Sequence, residues 1–340
     1  MAVVGAGPKA LFCVERLISR GLRAPGAPDH GAPRVDLVVL DPAAPGEGAA
    51  YATDQTSIWR LNVTSAVVNV AVRDGTAPTP FAIPSLDEWR RGGDGTADLD
   101  PFPPRALVGR YLGEQWATVA AHLPERWTLE HRRAAVRRLD RAGARWTVDG
   151  EGFDEVLLAT GHATDWPGAL RHGWPGPVPL VPAVYPSGGL DAVPARATVV
   201  VRGAALTFID AALALTEGRG GAFAAEGDAL RYVPGAEQAG SIVPVSRSGR
   251  FMVPKPAPAW VSALDLPSLA APAAEEVRAR PGDVDAVVRA VEATAGAYLA
   301  RAGGSGDAGP VPLAALDLRG QGRTALALQD HDIAVAAGAA

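Results

Sequence analysis

The chain has 340 residues, 48% hydrophobic and 20% charged, enough to bury a large core and unlike a disordered polypeptide. Its formal net charge of −5 lacks the basic excess of a general nucleic-acid binder. Cys13 is the only cysteine, which excludes an internal disulfide, a paired-cysteine redox centre and a cysteine-rich zinc site. No apolar run reaches the ~18 residues of a membrane span. No charged-then-apolar leader precedes the first strand, so the cytoplasm is the expected compartment.

The first predicted strand, Ala2-Val3-Val4, meets a glycine turn and then a helical pattern with Leu11, Val14, Leu17 and Ile18 apolar. A second strand runs from Val35 to Leu40 and closes at Asp41-Pro42. Gly, Pro and Asp crowd residues 74–104, where a short helix over Ser85–Arg91 has Ser85 and Glu88 at capping-box spacing. A helix follows over Ala106–Ala121, then a hairpin from Ala134–Leu139 and Arg145–Asp149, then a buried strand over Glu155–Ala159. Pro-rich sequence from Pro167 to Pro194 reads as a connection between domains. A second strand-turn-helix begins at Ala197–Val201, passes Gly203 and continues from Leu206 to about Thr216; a further strand spans Ser241–Ser246. Beyond residue 260 the chain is Ala-rich, with one helix expected at Val284–Arg301.

The first turn reads Gly5-Ala6-Gly7-Pro8-Lys9-Ala10. Gly5 permits the tight turn, Gly7 lets the backbone approach a pyrophosphate, and Ala10 keeps helix and strand close where a third glycine is usual. The helix N-terminus then offers free N–H groups and the positive end of its dipole to phosphates. Asp41 stands at the end of the second strand, where a carboxylate would accept from ribose hydroxyls. A strand ending in Ala159-Thr160-Gly161-His162 would let the backbone pass close to the same ligand. In the second strand-turn-helix only Gly203 of the triplet is present, and Ala205 replaces the glycine nearest the phosphate. The strand after it ends in Ser246-Arg247 with no acidic residue, which suits the 2′-phosphate of NADPH better than the 2′-hydroxyl of NADH.

These residues carry a resemblance. Gly5-Ala6-Gly7-Pro8-Lys9-Ala10 followed by Glu15-Arg16-Leu17 is similar to the G-x-G-P-R-G…E-R-L opening of the bacterial FAD-NAD(P)-binding protein family. Pro45-Gly46-Glu47-Gly48 with Tyr51, Gln55 and Leu61-Asn62 resembles its next block. So do Trp89, Pro104-Arg105 and Gly109-Arg110-Tyr111-Leu112, and Arg202-Gly203 with Leu206, Phe208 and Asp210. Asp154 with Leu158-Ala159-Thr160-Gly161-His162 is similar to the D-x3-L-A-T-G-Y signature of N-hydroxylating monooxygenases, with His162 in place of tyrosine. Some relatives are flavin-dependent amino-acid N-monooxygenases of the nitrosuccinate synthase type. Family chains are usually longer, and a C-terminal segment returns to the flavin; no such segment is recognisable in Asp317–Ala340.

The expected fold is α/β: a Rossmann-like FAD-binding domain over residues 1–190, a smaller inserted second dinucleotide-binding unit over 191–260 and an Ala-rich helical region over 261–340. The expected cofactors are FAD and NADPH. The resemblance implies an oxidoreductase in which NADPH reduces FAD, O2 reacts with the reduced flavin, and one oxygen atom passes to an amine or amino-acid nitrogen. Gly5, Ala6, Gly7, Pro8, Lys9, Ala10, Asp41, Tyr51, Asn62, Thr160, Gly161, Gly203, Ser246 and Arg247 are the expected cofactor contacts. His162 is the candidate at the reacting edge, with no acid–base residue assigned. Six scattered histidines show no metal-ligand spacing, and Arg132–Arg141 reads as a solvated strand face. A small-molecule substrate and O2 are the expected partners, without nucleic acid or membrane; a homo-oligomer is left open. A flavin reductase or oxidase without substrate oxygenation, and a non-catalytic nucleotide-binding protein, are the rival readings.

Overall fold

The computed structural model describes residues 1–23, 34–73, 78–92, 99–161, 169–174, 176–185, 187–246 and 266–280, and nine positions between 283 and 297. They fall into two compact units: Met1–Val201 with Leu206–Pro244, and Arg202–Ala205 with Val245–Ala340.

The first unit is built on strands β1 (Ala2–Val4), β2 (Val35–Leu40), β3 (Trp127–Arg132) and β7 (Val156–Leu158). They form a parallel sheet in the order β3-β2-β1-β7, which begins as doubly wound dinucleotide folds do. Alternation along the strands sorts the side chains to two faces. Val3, Leu37 and Val39 meet helix α1 (Pro8–Arg23) through Ala10, Leu11, Val14 and Ile18, and helix α3 (Arg105–Ala120) through Val108, Leu112, Trp116 and Val119. Ala2, Val38 and Leu40 meet Val148 and Phe153 on the other face. Those two belong to an antiparallel meander of β4 (Leu139–Ala142), β5 (Arg145–Val148) and β6 (Glu151–Phe153). With both its faces covered, β1 is apolar throughout.

Helix α2 (Leu86–Arg91) starts as its sequence predicts: the Glu88 N–H donates to the Ser85 hydroxyl and the Glu88 carboxylate accepts from the Ser85 N–H. Other expectations need correction. β3 was not anticipated, because Trp127-Thr-Leu-Glu-His-Arg132 lies outermost in the sheet and carries polar side chains instead of an apolar run. The hairpin begins at Leu139, not Ala134, because the Asp149 carboxylate takes the N–H groups of Arg137 and Arg138, and a third strand completes it. The strand expected to be buried over Glu155–Ala159 is shorter, and Leu158 is 59% exposed at the end of the sheet order. Arg132 and Arg138 pair with Glu130, Glu151 and Asp140 at the surface, part of them outside any strand.

Further along come α4 (Leu170–Gly173), β8 (Thr198–Arg202), α5 (Leu206–Leu215), β9 (Ala222–Glu226), β10 (Ala229–Val233) and β11 (Ser241–Val245). β11 lies beside β8, while β9 and β10 form a hairpin. In the first unit Trp59, Leu190, Leu215 and Ala239 share a third core cluster, so the Pro-rich stretch contributes Leu190 to packing. In the second unit α6 (Leu266–Ala279), unforeseen in the Ala-rich sequence, accompanies the helical positions within the expected Val284–Arg301 helix.

Candidate nucleotide-binding site

β1 leaves the sheet beside the end of β7, and that crossing dictates glycine at position 5. Gly5 has φ +98°, and a Cβ there would lie 2.3 Å from the Ala159 carbonyl oxygen. Its N–H donates to the Leu40 carbonyl at 2.9 Å, and the Ala159 N–H donates to the Val4 carbonyl at 2.8 Å. Helix α1 begins at once, with Ala10 fully buried against the sheet and no acidic residue in its first turn. Its leading N–H groups have no intrahelical acceptor. Asp41 reaches back to the turn: Oδ2 accepts from the Ala6 N–H and Oδ1 from the Ala43 N–H, each at 2.8 Å. The Asp41 backbone is held in turn, its N–H donating to the Arg132 carbonyl while His131 Nε2 lies 3.2 Å from its own carbonyl.

A second loop closes over the first. The Gly46 N–H donates to the Ala6 carbonyl at 2.7 Å, and a Cβ on Gly7 would meet the Gly48 Cα at 3.4 Å. Helix α3 seats that loop with a bare stripe. A Cβ on Gly109 would lie 1.9 Å from the Tyr51 carbonyl oxygen, and one on Gly46 would lie 2.7 Å from the Gly113 Cα. Between the two helix glycines, Tyr111 is fully buried and donates to the Pro84 carbonyl; burial pushes its phenol up to about 12. Gln55 is anchored by its amide to the Ala50 carbonyl, while its buried Oε1 has no protein partner.

The structure therefore gathers Gly5, Ala6, Gly7, Pro8, Lys9, Ala10, Asp41 and Tyr51 around one turn. Thr160 and Gly161 flank it, since the same Cβ on Gly5 would be 3.2 Å from the Thr160 nitrogen. Asn62 is exposed. In the second unit Gly203 (φ +105°) donates its N–H to the Val245 carbonyl at 2.7 Å, which brings it beside Ser246. His162 and Arg247 lie outside the described residues.

Two buried charge clusters went unread in the sequence. Glu15, 1% exposed on α1, accepts from Arg16, Ser19 and Thr79. Burial pushes its carboxyl up, but those hydrogen bonds outweigh it and hold it below the usual range. The other is an ion pair between Arg105 and Asp210 at 2.5 Å, their side chains 12% and 4% exposed. Tyr185 accepts from Arg105 at 2.7 Å and donates to the Asp210 carboxylate. Trp59 donates to the Asp210 carbonyl and packs edge-on against Tyr185. Arg105 and Asp210 both stand in recognisable blocks, but nothing in sequence pairs positions 105 residues apart.

The residues present suit a dinucleotide: a Cβ on Gly161 would meet nothing within 4 Å and one on Gly7 only the Gly48 backbone, so both present bare backbone. Residues 2–163 match the family model described as FAD-NAD(P)-binding. The chain is similar to that family over just under half of its length. Similar curated proteins extend beyond that stretch. An L-aspartate N-monooxygenase (nitrosuccinate-forming) of Streptomyces cremeus is 31% identical over 69% of this chain and 40% of its own length. The nitrosuccinic acid synthase of Aspergillus oryzae is 30% identical over 70% of this chain and 38% of its own length. The chain thus spans about two-fifths of the length of the curated relatives it matches. Among solved structures, a flavin-containing monooxygenase from Stenotrophomonas maltophilia is 23% identical over 47% of this chain and 37% of its own, with a TM-score of 0.28. A mutant flavin monooxygenase from the same organism is 19% identical over 59% of this chain and 44% of its own, with a TM-score of 0.30. Likeness at that level adds nothing to the functional reading.

Proposed function

We propose that the chain belongs to an FAD-dependent, NADPH-using monooxygenase that oxygenates the nitrogen of an amine or amino acid. The observation that carries the reading is the preformed turn: bare backbone at Gly7, free first-turn N–H groups on α1 and the Asp41 carboxylate bonded to Ala6. The Gly7, Lys9 and Ala10 N–H groups would hold the pyrophosphate. Asp41 keeps lone pairs for ribose hydroxyls beyond the two bonds it already accepts. Tyr51, Asn62, Thr160 and Gly161 would line the same ligand, and His162 is the candidate at its reacting edge. Bound FAD would supply the electron transfer and oxygen activation, as cofactors do. The protein's part is to orient it and exclude water.

Residues 191–260 would hold NADPH, with Gly203 and Ser246 at the turn and Arg247 on the 2′-phosphate. A guanidinium pairs with phosphate through charge-assisted hydrogen bonds worth about 1.5–3 kcal/mol, a roughly ten- to hundredfold preference for NADPH over NADH. Arg247→Ala should raise the NADPH KM by that factor and leave NADH nearly unaffected; equal use of both coenzymes by the wild type would sink the assignment. The substrate class rests on the relatives named an L-aspartate N-monooxygenase and a nitrosuccinic acid synthase. Oxidation of NADPH should quicken with L-aspartate or another amine and yield the hydroxylamine or a more oxidised product. Oxidation indifferent to every amine would instead leave a flavin reductase or oxidase. A chain purified without visible flavin absorbance, and unable to take up FAD, would reject the whole reading.

A further inference from the structure

Arg105 is the first residue of α3, where a cation opposes the helix dipole. It is also buried, so it contributes little to its own helix and needs a partner. That partner comes from α5: Asp210 takes both ends of the guanidinium, and Tyr185 bridges them. Arg105 also donates to the Arg60 carbonyl, while its own backbone N–H donates to the Trp59 carbonyl. Trp59 closes the ring by donating to the Asp210 backbone. Four separate segments meet here, all within the first compact unit.

The other end of the same helix face leads to the nucleotide turn. Gly109 and Gly113 of α3 seat the loop over residues 46–51, and that loop bonds through Gly46 to Ala6. A continuous packed path therefore runs from the glycine turn, through the second loop and α3, to Arg105, Asp210 and α5. We propose that Arg105, Asp210 and Tyr185 are positioning residues through which occupancy of the first nucleotide site governs the order of α5, the helix that follows the Gly203 turn. This rests on the FAD reading of the first site. A ligand that rigidifies the 46–51 loop fixes α3, and the ion pair passes that constraint to α5. By linkage, loosening α5 must weaken FAD binding by the same factor.

Amide hydrogen exchange of the full chain, with and without saturating FAD, tests this. In the wild type, FAD should slow exchange in α1, in residues 46–51 and in α5, the last by about five- to a hundredfold, the usual span of such couplings. Asp210→Asn keeps the shape and removes the charge. It should keep the FAD effect on α1, lose it in α5 and bind FAD more weakly by the factor lost. Should that variant not fold, Tyr185→Phe removes one hydroxyl and should reduce the α5 response while sparing α1. A wild type in which FAD protects α1 but not α5 overturns the coupling alone, as does a folded variant with the full α5 response. A chain in which FAD protects neither overturns the FAD reading, and the coupling falls with it.

Discussion

At the scale of single residues, the first turn asks two different things of its glycines. Gly5 answers to the protein, because the Ala159 carbonyl occupies the place of any side chain. Gly7 has only the Gly48 backbone near its missing Cβ, which leaves its face open to the proposed pyrophosphate. Gly7→Val should therefore leave a folded chain whose FAD affinity is at least about tenfold lower, checked by flavin content after purification and titration of the apoprotein. Asp41 is legible in sequence as a ribose acceptor, yet both of its oxygens already bond backbone N–H groups. Asp41→Ala should consequently lower the melting temperature of the FAD-free protein, by ~1–3 kcal/mol of lost stability. Asp41→Asn, which keeps one acceptor oxygen, should fall between. A melt unchanged in the absence of FAD would restrict Asp41 to the ligand.

At the scale of elements, local chemistry was readable wherever the chain decides alone. The Ser85–Glu88 box needs only three residues of spacing, and it forms as read. Arg73, which sequence cannot place, adds to it: its guanidinium donates to the Glu88 carboxylate, and together with the Ser85 bonds pulls that carboxyl down to about 2. Since the folded value lies below the unfolded 4.5, the contribution is complete above pH 4.5 and vanishes as pH falls towards 2. Glu88→Gln should thus lower stability near neutral pH and match the wild type near pH 2, measured by urea unfolding across that range. Ser85→Ala should cost about 1 kcal/mol. Elements that depend on distant partners were harder to read. β3 owes its pairing to β2, and its alternating residues do not announce it; β7 was read as a strand, but not that its Leu158 end is exposed. The β9–β10 hairpin was missed, although its signal is local: Glu226-Gly227-Asp228-Ala229 carries a two-residue Gly-Asp turn with Gly227 at φ +61°.

Across the whole molecule, the residues proposed for the first site could be named from sequence because they lie within short blocks. The buried clamp could not, because it joins α3 to α5 across more than a hundred residues and consists of types that are usually exposed. No described helix is long and apolar enough to cross a membrane. One feature of the sheet bears instead on how the protein behaves in company. Among the described residues β7 ends the parallel order, so one row of its backbone donors and acceptors has no neighbouring strand. Leu158 stands there 59% exposed. Such a margin is a template for pairing with another chain, and proteins commonly blunt it with lysine. Concentrated solutions should therefore self-associate, and Leu158→Lys should reduce light scattering while leaving flavin content unchanged. Equal scattering by the two proteins would mean that this margin is already shielded.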